Sequence, residues 1–190
     1  MDRSYLEDKK FDKTNFAEEP LIQGDYEACQ FISCDFTAID LSNFHFIDCS
    51  FQGCNLSMVN IAGTAFRDIS FDLCKLVGLH FENADPFSFS VSFKSCSLNL
   101  SSFYKLKLKN MKFEHSNLQE TDFTLADLTN ASFIECDLLN AKFENTILEK
   151  ADFRSAYNYS IDPTQNKIKK AKFSVPGIIG LLDRFDIIIS

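Results

Sequence analysis

A large apolar residue recurs at every fifth position through most of this 190-residue chain, and this spacing constrains the fold more than any other feature. Residues 126–145, ADLTNASFIECDLLNAKFEN, show it plainly, because Leu128, Phe133, Leu138 and Phe143 stand third in successive blocks of five. An amphipathic helix repeats near 3.6 residues and a half-buried strand near 2, so neither explains the spacing. A fixed period indicates a repeat architecture instead.

Two registers of the repeat cover most of the chain. One runs over residues 11–81 and the other over 93–153, and the register slips by two residues across 83–92. The slip contains Asp85-Pro86, a pair that favours a turn. Proline also lacks the backbone N–H that would donate a hydrogen bond to a neighbouring strand. It is therefore either a bulge or short loop, or a loop that binds a partner.

The seven cysteines share one place in the repeat, two residues before a central residue, where small side chains prevail. They are Cys29, Cys34, Cys49, Cys54, Cys74, Cys96 and Cys136. A zinc site needs cysteine pairs of matched spacing, and disulfides need no such restriction to one register. The common position favours small buried hydrophobes, so we predict no metal and no cofactor.

The repeat resembles the pentapeptide-repeat family, whose consensus A(D/N)LXX is matched by ADLTN at 126–130 and ADFRS at 151–155. The resemblance implies an all-β fold, a right-handed quadrilateral parallel β-helix with one pentapeptide per side and four sides per coil. The central side chain and the side chain two residues before it point inward. About eight coils are expected.

The repeat and the resemblance together divide the chain into three parts. Residues 1–10 form an N-terminal cap, residues 11–173 form the β-helix, and residues 174–190 form a C-terminal capping helix and dimerisation tail. If twenty residues make a coil, residues twenty apart stack. The expected aromatic core consists of two facing columns: Phe93, Phe113, Phe133 and Phe153 in one, and Phe103, Phe123 and Phe143 in the other.

Composition narrows the class of protein. The chain is 45% hydrophobic and 24% charged, which is typical of a globular protein. Its N-terminus, MDRSYLEDKKFDKTNF, has no apolar stretch of secretory length, and no segment is long and apolar enough to span a bilayer. We therefore expect a soluble cytoplasmic protein. The net charge of −8 argues against binding of nucleic acid.

Nothing in the sequence indicates catalysis. His45, His80 and His115 all fall at outward positions, and none lies a multiple of twenty residues from another. There is no glycine-rich phosphate loop, Cys–His pairing or nucleophile elbow. Outward carboxylates lack the concave setting that tunes a catalytic pKa. We predict a protein that is not an enzyme.

Outward acidic residues are the candidate partner-binding groups. Asp48 and Asp68 are twenty residues apart and should be neighbours on adjacent coils. A second group lies late in the repeat, next to the basic Lys105–Lys112 segment, and consists of Asp122, Asp127, Glu135 and Asp137. These charges either keep the surface solvated and soluble or bind a basic partner.

The C-terminal segment carries an apolar surface. Pro176 suits the first position of a helix with its N-cap at Ser174 or Val175. The segment either caps the last coil or forms a two-fold dimer interface, and it can do both. The candidate interface residues are Ile178, Ile179, Leu181, Leu182, Phe185, Ile187, Ile188 and Ile189.

The resemblance extends to a subgroup of dimeric, DNA-like rods that bind bacterial type II topoisomerases and protect them from quinolones or toxins. About eight coils at 4.8 Å predict a rod of about 38 Å. The leading hypothesis is a homodimeric DNA mimic that binds DNA gyrase or topoisomerase IV. The chain departs from the plasmid-borne quinolone-resistance proteins because it lacks long projecting loops. The alternative is a structural or regulatory scaffold for a different protein.

Overall fold

The computed structural model describes residues 4–185 and 187–188, in two compact units, Met1–Leu98 and Asn99–Ser190. The fold is an all-β, parallel β-solenoid of about seven turns, which confirms the predicted class. The predicted number of coils, about eight, is slightly too high. Phe11 and Leu21 of unit 1 and Phe173 of unit 2 are only partly buried.

The described residues of unit 1 form nine strands: β1 (Ser4–Glu7), β2 (Lys10–Asp12), β3 (Gly24–Glu27), β4 (Gln30–Ile32), β5 (His45–Ile47), β6 (Ser50–Gln52), β7 (Ala65–Arg67), β8 (Ile69–Asp72) and β9 (Val91–Lys94). They form two parallel sheets on adjacent sides of the solenoid, with strand orders β1-β3-β5-β7 and β2-β4-β6-β8-β9. Neighbouring strands of a sheet are one lap apart, as in the pairs Tyr26↔Phe46 and Phe31↔Phe51.

Unit 2 has fewer regular strands. β10 (Lys112–Glu114) pairs in parallel with β11 (Ser132–Ile134), and the other sides of each lap are joined by single bridges such as Ser102↔Asp122 and Lys107↔Asp127. All these pairs are twenty residues apart, so the predicted lap length holds throughout this unit.

Aromatic rings fill the interior of each unit. In unit 1, Phe31 lies parallel to Phe51 with ring centroids 4.6 Å apart. In unit 2, Phe103 and Phe123 stack at 5.4 Å, and each meets Phe113 edge-on at 5.7 and 5.8 Å. Stacked and edge-to-face pairs are the favourable arrangements for aromatic rings. All seven central phenylalanines named from the sequence are at most 5% exposed.

The corners of the solenoid adopt a left-handed backbone conformation. The residue two after a central residue has φ between 50° and 61° at positions such as Asp48, Met58 and Leu125. This region is unfavourable for residues with a Cβ. Backbone hydrogen bonds to the next lap hold it, as in Leu125 N–H to the Glu144 carbonyl at 2.9 Å.

The inward cysteines and threonines are hydrogen-bond donors as well as small core residues. The Cys54 thiol donates to the Phe31 carbonyl at 3.3 Å, and the Thr64 hydroxyl donates to the Leu41 carbonyl at 2.7 Å. In both cases the acceptor lies 23 residues earlier and is the carbonyl of a central residue of the repeat on the preceding lap. All seven cysteine side chains are buried, as expected from their common position, and none forms a disulfide with another described residue.

The register slip is a two-residue insertion in one lap. Ile69 pairs with Val91, an offset of 22 residues where other pairs have 20. Asp85 N–H donates to the Thr64 carbonyl, just before β7, and Ser90 N–H donates to the Phe66 carbonyl within β7, at 2.9 Å each. The segment therefore covers the edge of that strand. Phe89 lies between Asp85 and Ser90 in the sequence and is half-buried. Its ring packs edge-on against that of Phe66, with ring centroids 6.5 Å apart.

The predicted C-terminal helix is a 3-10 helix, Pro176–Leu181, with Pro at its first turn and Val175 as N-cap. A second short turn, Asp183–Phe185, follows it. Gly177 and Gly180 are three residues apart and therefore lie on one face of a 3-10 helix. That face packs against Tyr159, and a Cβ at either glycine would overlap Tyr159 atoms.

Candidate protein-interaction surface

The negative charge is distributed unequally between the two units. Residues 1–98 contain 15 acidic and 7 basic side chains, whereas residues 99–190 contain 12 of each. Unit 1 therefore carries the whole net charge of −8. An acidic surface that attracts a basic partner belongs to unit 1 on this count.

The late acidic residues at the position before a central residue stabilise corner turns. In each of them a carboxylate oxygen accepts the backbone N–H two residues later, which is an Asx turn. Asp122 accepts from Thr124 N–H at 2.8 Å and Asp127 from Thr129 N–H at 3.1 Å. Asp137 accepts from Leu139 N–H at 3.2 Å. The sequence did not separate this structural role from partner binding.

Two of these turn carboxylates have further partners. Asp137 also accepts from Gln119 Nε2 and Asn158 Nδ2, both at 2.8 Å. Burial opposes ionisation of Asp127, but the Thr129 hydroxyl and N–H and the Lys109 ammonium outweigh it and hold the pKa of its carboxyl below the usual value. The Lys109–Asp127 ion pair spans 3.3 Å. Both carboxylate oxygens of Asp127 and of Asp137 therefore already have partners within unit 2.

Glu135 lies at a corner of unit 2, and His115 occupies the same corner one lap earlier. The Glu135 carboxylate is 3.1 Å from His115 Nδ1, and both side chains are largely exposed. Glu135 is therefore already paired with a side chain of the neighbouring lap.

Asp48 and Asp68 form a different kind of site, on one corner of unit 1. Together with Asp8, two laps before Asp48 on the same corner, they line a shallow polar groove that also contains Ser50 and Ser70. Asp68 accepts a hydrogen bond from Ser90 Oγ at 2.9 Å. Among the described residues, no ion pair involves any of these three carboxylates. All three side chains are exposed and therefore accessible to a basic partner.

The register slip adds a second exposed feature to unit 1. Phe87 is 70% exposed at the tip of the segment. The Arg67 guanidinium lies over its ring at 5.4 Å and forms an ion pair with Asp85 at 3.6 Å. Arginine and aromatic side chains are enriched at the energetic centres of protein interfaces.

The C-terminal helix of unit 2 presents apolar side chains to solvent. The face that carries Gly177 and Gly180 packs against Tyr159. Ile178 and Ile179 therefore point outward, and their side chains are 44% and 55% exposed. Leu181 and Leu182 are half-buried, whereas Phe185, Ile187 and Ile188 are exposed. Ile189, the last of the predicted interface residues, lies outside the described residues.

Two further expectations concern ligands and membranes. Within residues 4–185 and 187–188, no group of three or more His, Cys, Asp or Glu side chains is placed to hold a metal ion. In the same part of the chain, no helix has the length and apolar character needed to cross a bilayer.

Sides of five residues, four to a lap and joined at left-handed corners, define a class of parallel β-solenoid. The pentapeptide repeat region model matches residues 24–88 and 88–157. The chain therefore belongs to the pentapeptide-repeat family. No curated protein sequence matches it.

Solved structures with a similar fold include the plasmid-mediated fluoroquinolone resistance protein QnrB1. Its full-length form is 16% identical with a TM-score of 0.47, over 97% of this chain and 100% of that one. A trypsin-treated form is 20% identical with a TM-score of 0.49, over 98% and 97%. HetL, involved in heterocyst differentiation regulation in Nostoc sp. strain PCC 7120, is 15% identical with a TM-score of 0.38, over 88% and 86%.

Proposed function

We propose that this protein is a non-enzymatic binding protein whose acidic unit 1 occupies the basic DNA-binding surface of a type II topoisomerase, DNA gyrase or topoisomerase IV. The cytoplasm is the compartment where it would meet this target. The observation that supports the proposal is the corner groove of Asp8, Asp48 and Asp68 in a unit of net charge −8.

The groove has the electrostatic character that a DNA-binding surface attracts. Adjacent laps of a parallel β-solenoid are about 4.8 Å apart, so Asp48 and Asp68 repeat negative charge at a spacing of the same order as that of DNA phosphates. The backbone hydrogen bonds between laps fix the corners that carry these residues, so little backbone freedom is lost on binding. Complementary charge accelerates association most at low salt.

The same groove is poorly suited to catalysis. It is shallow and open, whereas catalytic carboxylates are usually partly desolvated so that their pKa values are shifted. Cys29 and Cys49 also line the groove, but their thiols are buried and donate hydrogen bonds to the Leu6 and Tyr26 carbonyls. A binding role therefore fits the groove better than a chemical one.

A supercoiling assay with purified gyrase, with and without a fluoroquinolone, tests the proposal. We expect the protein, at micromolar concentration, either to inhibit supercoiling or to relieve the inhibition of supercoiling by the drug. Either effect should be stronger at low salt. Asp48→Asn with Asp68→Asn should weaken the effect, because two of the exposed carboxylates lose their charge.

Asp122→Asn with Asp137→Asn is the matched control, since it removes the same charge from turn-forming positions and keeps an acceptor oxygen. It should leave the effect nearly unchanged. The proposal fails if the unsubstituted protein neither inhibits nor protects, or if both double variants lose activity equally.

A second candidate function is a scaffold for a different protein, bound through the register slip. The exposed Phe87 and the adjacent Arg67 favour it, because such a contact is largely apolar and depends little on salt. Phe87→Ala would abolish this binding and leave binding through the acidic groove intact.

We also propose that the protein is a homodimer joined through the C-terminal apolar surface. The exposed Ile178, Ile179 and Phe185 form more apolar surface than one short helix normally leaves in water. A two-fold contact would bury this patch against its own copy.

A further inference from the structure

Unit 2 contains a cavity of about 450 Å³ between residues 156–159 and the C-terminal 3-10 helix. Leu139, Tyr157 and Ile179 supply apolar surface to its lining, and Asp183 supplies a carboxylate. The volume is within the range of small-molecule sites, which are mostly apolar with a few placed polar groups. The proposed acidic groove lies in unit 1, so the cavity is independent of it.

Tyr159 is the most unusual residue of this lining. Its side chain is 5% exposed, and its ring packs against Phe153 and Phe173 with centroids 5.6 and 5.8 Å away. The hydroxyl is buried and has no hydrogen-bond partner in the described part of the chain. Burial raises the pKa of this phenol, so it keeps its proton and is available as a donor.

A phenylalanine at this position would keep the ring contacts without burying a polar group. Buried hydroxyls in proteins nearly always have a partner, and one without a partner is destabilising. The geometry of the neighbouring helix gives the hydroxyl its place, because it fits against Gly177 where a Cβ would stand. The nearby Ser174 Oγ already accepts the Gly177 N–H at 3.2 Å.

The helix over the cavity is short and is held by few backbone contacts. One of them joins Ile161 N–H to the Gly180 carbonyl at 2.8 Å. Tyr159 itself belongs to the lining of this cavity. Because water is excluded from the hydroxyl, an acceptor that reaches it gains a hydrogen bond without breaking one to solvent.

We propose that this cavity binds a small, mainly apolar molecule with a carbonyl-type acceptor that takes the Tyr159 hydroxyl hydrogen. The ligand is uncharged or cationic, since the Asp183 carboxylate in the lining disfavours an anion and forms no ion pair with any described residue. Leu139, Tyr157 and Ile179 contact its apolar body.

Two probes of similar shape test the role of the hydroxyl: acetophenone, which carries a carbonyl, and ethylbenzene, which does not. Each is titrated into the full chain, and amide chemical shifts are followed by NMR. We expect saturable shifts at Gly177, Gly180 and Asn158. Acetophenone should bind about fivefold more tightly, as one net hydrogen bond predicts. No saturable shift at these amides would overturn the proposal.

Tyr159→Phe separates hydrogen bonding from packing. It keeps the ring, so the variant should fold, bind ethylbenzene as before and lose the preference for acetophenone. A preference that persists in the variant contradicts the assignment. The titrations are repeated at two protein concentrations. If the amide shifts follow protein concentration without probe and neither probe changes them, a second copy of the chain fills the cavity and the small-molecule proposal is wrong.

Discussion

Phe113 and Phe133 lie directly over one another in unit 2, with ring centroids 5.2 Å apart and planes 6° from parallel. The two residues are also register partners in the pair of β10 and β11. Both rings are fully buried. Residues one lap apart therefore share one column of the core, and the stability of each lap depends on its neighbour.

Truncation of a ring in this column should be costly. Phe133→Ala removes a ring that stacks on Phe113 and Phe153, and the cavity left between them cannot close easily. We expect a loss of about 3–5 kcal/mol in the free energy of unfolding, measured by urea denaturation. Ile134→Ala, at an outward position 37% exposed, should cost far less. Equal losses for both variants would contradict the column.

The fold could be predicted from sequence because a single spacing determines it. A residue such as Phe133 is large and apolar for the same reason as the residues five and twenty positions away, so the signal is repeated many times. The slip at 83–92 was visible because it breaks that spacing. The packing of Phe89 against Phe66 was not visible in the sequence, because Phe89 belongs to neither register of the repeat.

The candidate sites were harder to predict, because the sequence shows the charge of an outward aspartate but not the hydrogen bonds that it forms. Asp137 and Asp48 are both outward aspartates, but one closes an Asx turn and the other does not. Sequence alone gives each the same charge. The 3-10 helix shows the same difficulty: the role of Gly177 and Gly180 depends on Tyr159, eighteen or more residues earlier.

The two classes of aspartate should differ in their effect on stability. Asp137→Ala leaves Leu139 N–H, Gln119 and Asn158 without their shared acceptor, so we expect a loss of about 1–2 kcal/mol. Asp48→Ala should change the unfolding free energy by about 0.5 kcal/mol or less, since Ala28 occupies the same corner one lap earlier. Thermal and urea unfolding compare the pair, and a reversed order would refute the distinction.

Stability should fall at alkaline pH because of the buried thiols. Burial raises the pKa of Cys136 from 9.0 to about 12. The folded state holds the thiol proton of Cys136 more tightly than the unfolded state does. The contribution of this thiol to the free energy of unfolding is therefore complete below pH 9 and decreases as pH rises towards 12. Cys136→Ala should therefore have a shallower decline across this interval. Parallel unfolding curves for the two proteins from pH 8 to 11 would count against the effect.

The docking of the C-terminal helix should depend on its glycine face. Gly180→Ala places a methyl group against the Tyr159 backbone carbonyl, which the chain cannot accommodate without moving the helix. We expect a loss of about 1–3 kcal/mol in local stability and faster hydrogen exchange at Ile161 N–H, whose acceptor is Gly180. Ile178→Ala, on the outward face, serves as the control and should leave that exchange rate unchanged.

The outward face of the same helix should control assembly. Ile179→Asp or Phe185→Asp introduces a carboxylate into the apolar patch, and a two-fold contact would bury two such charges. We expect the dimer to weaken by at least about a hundredfold and monomers to appear in light scattering, with the circular dichroism of the solenoid unchanged. Gln165→Asp adds the same charge at an exposed polar position and should leave the dimer intact. A dimer that persists in both apolar-patch variants would place the interface elsewhere on the protein.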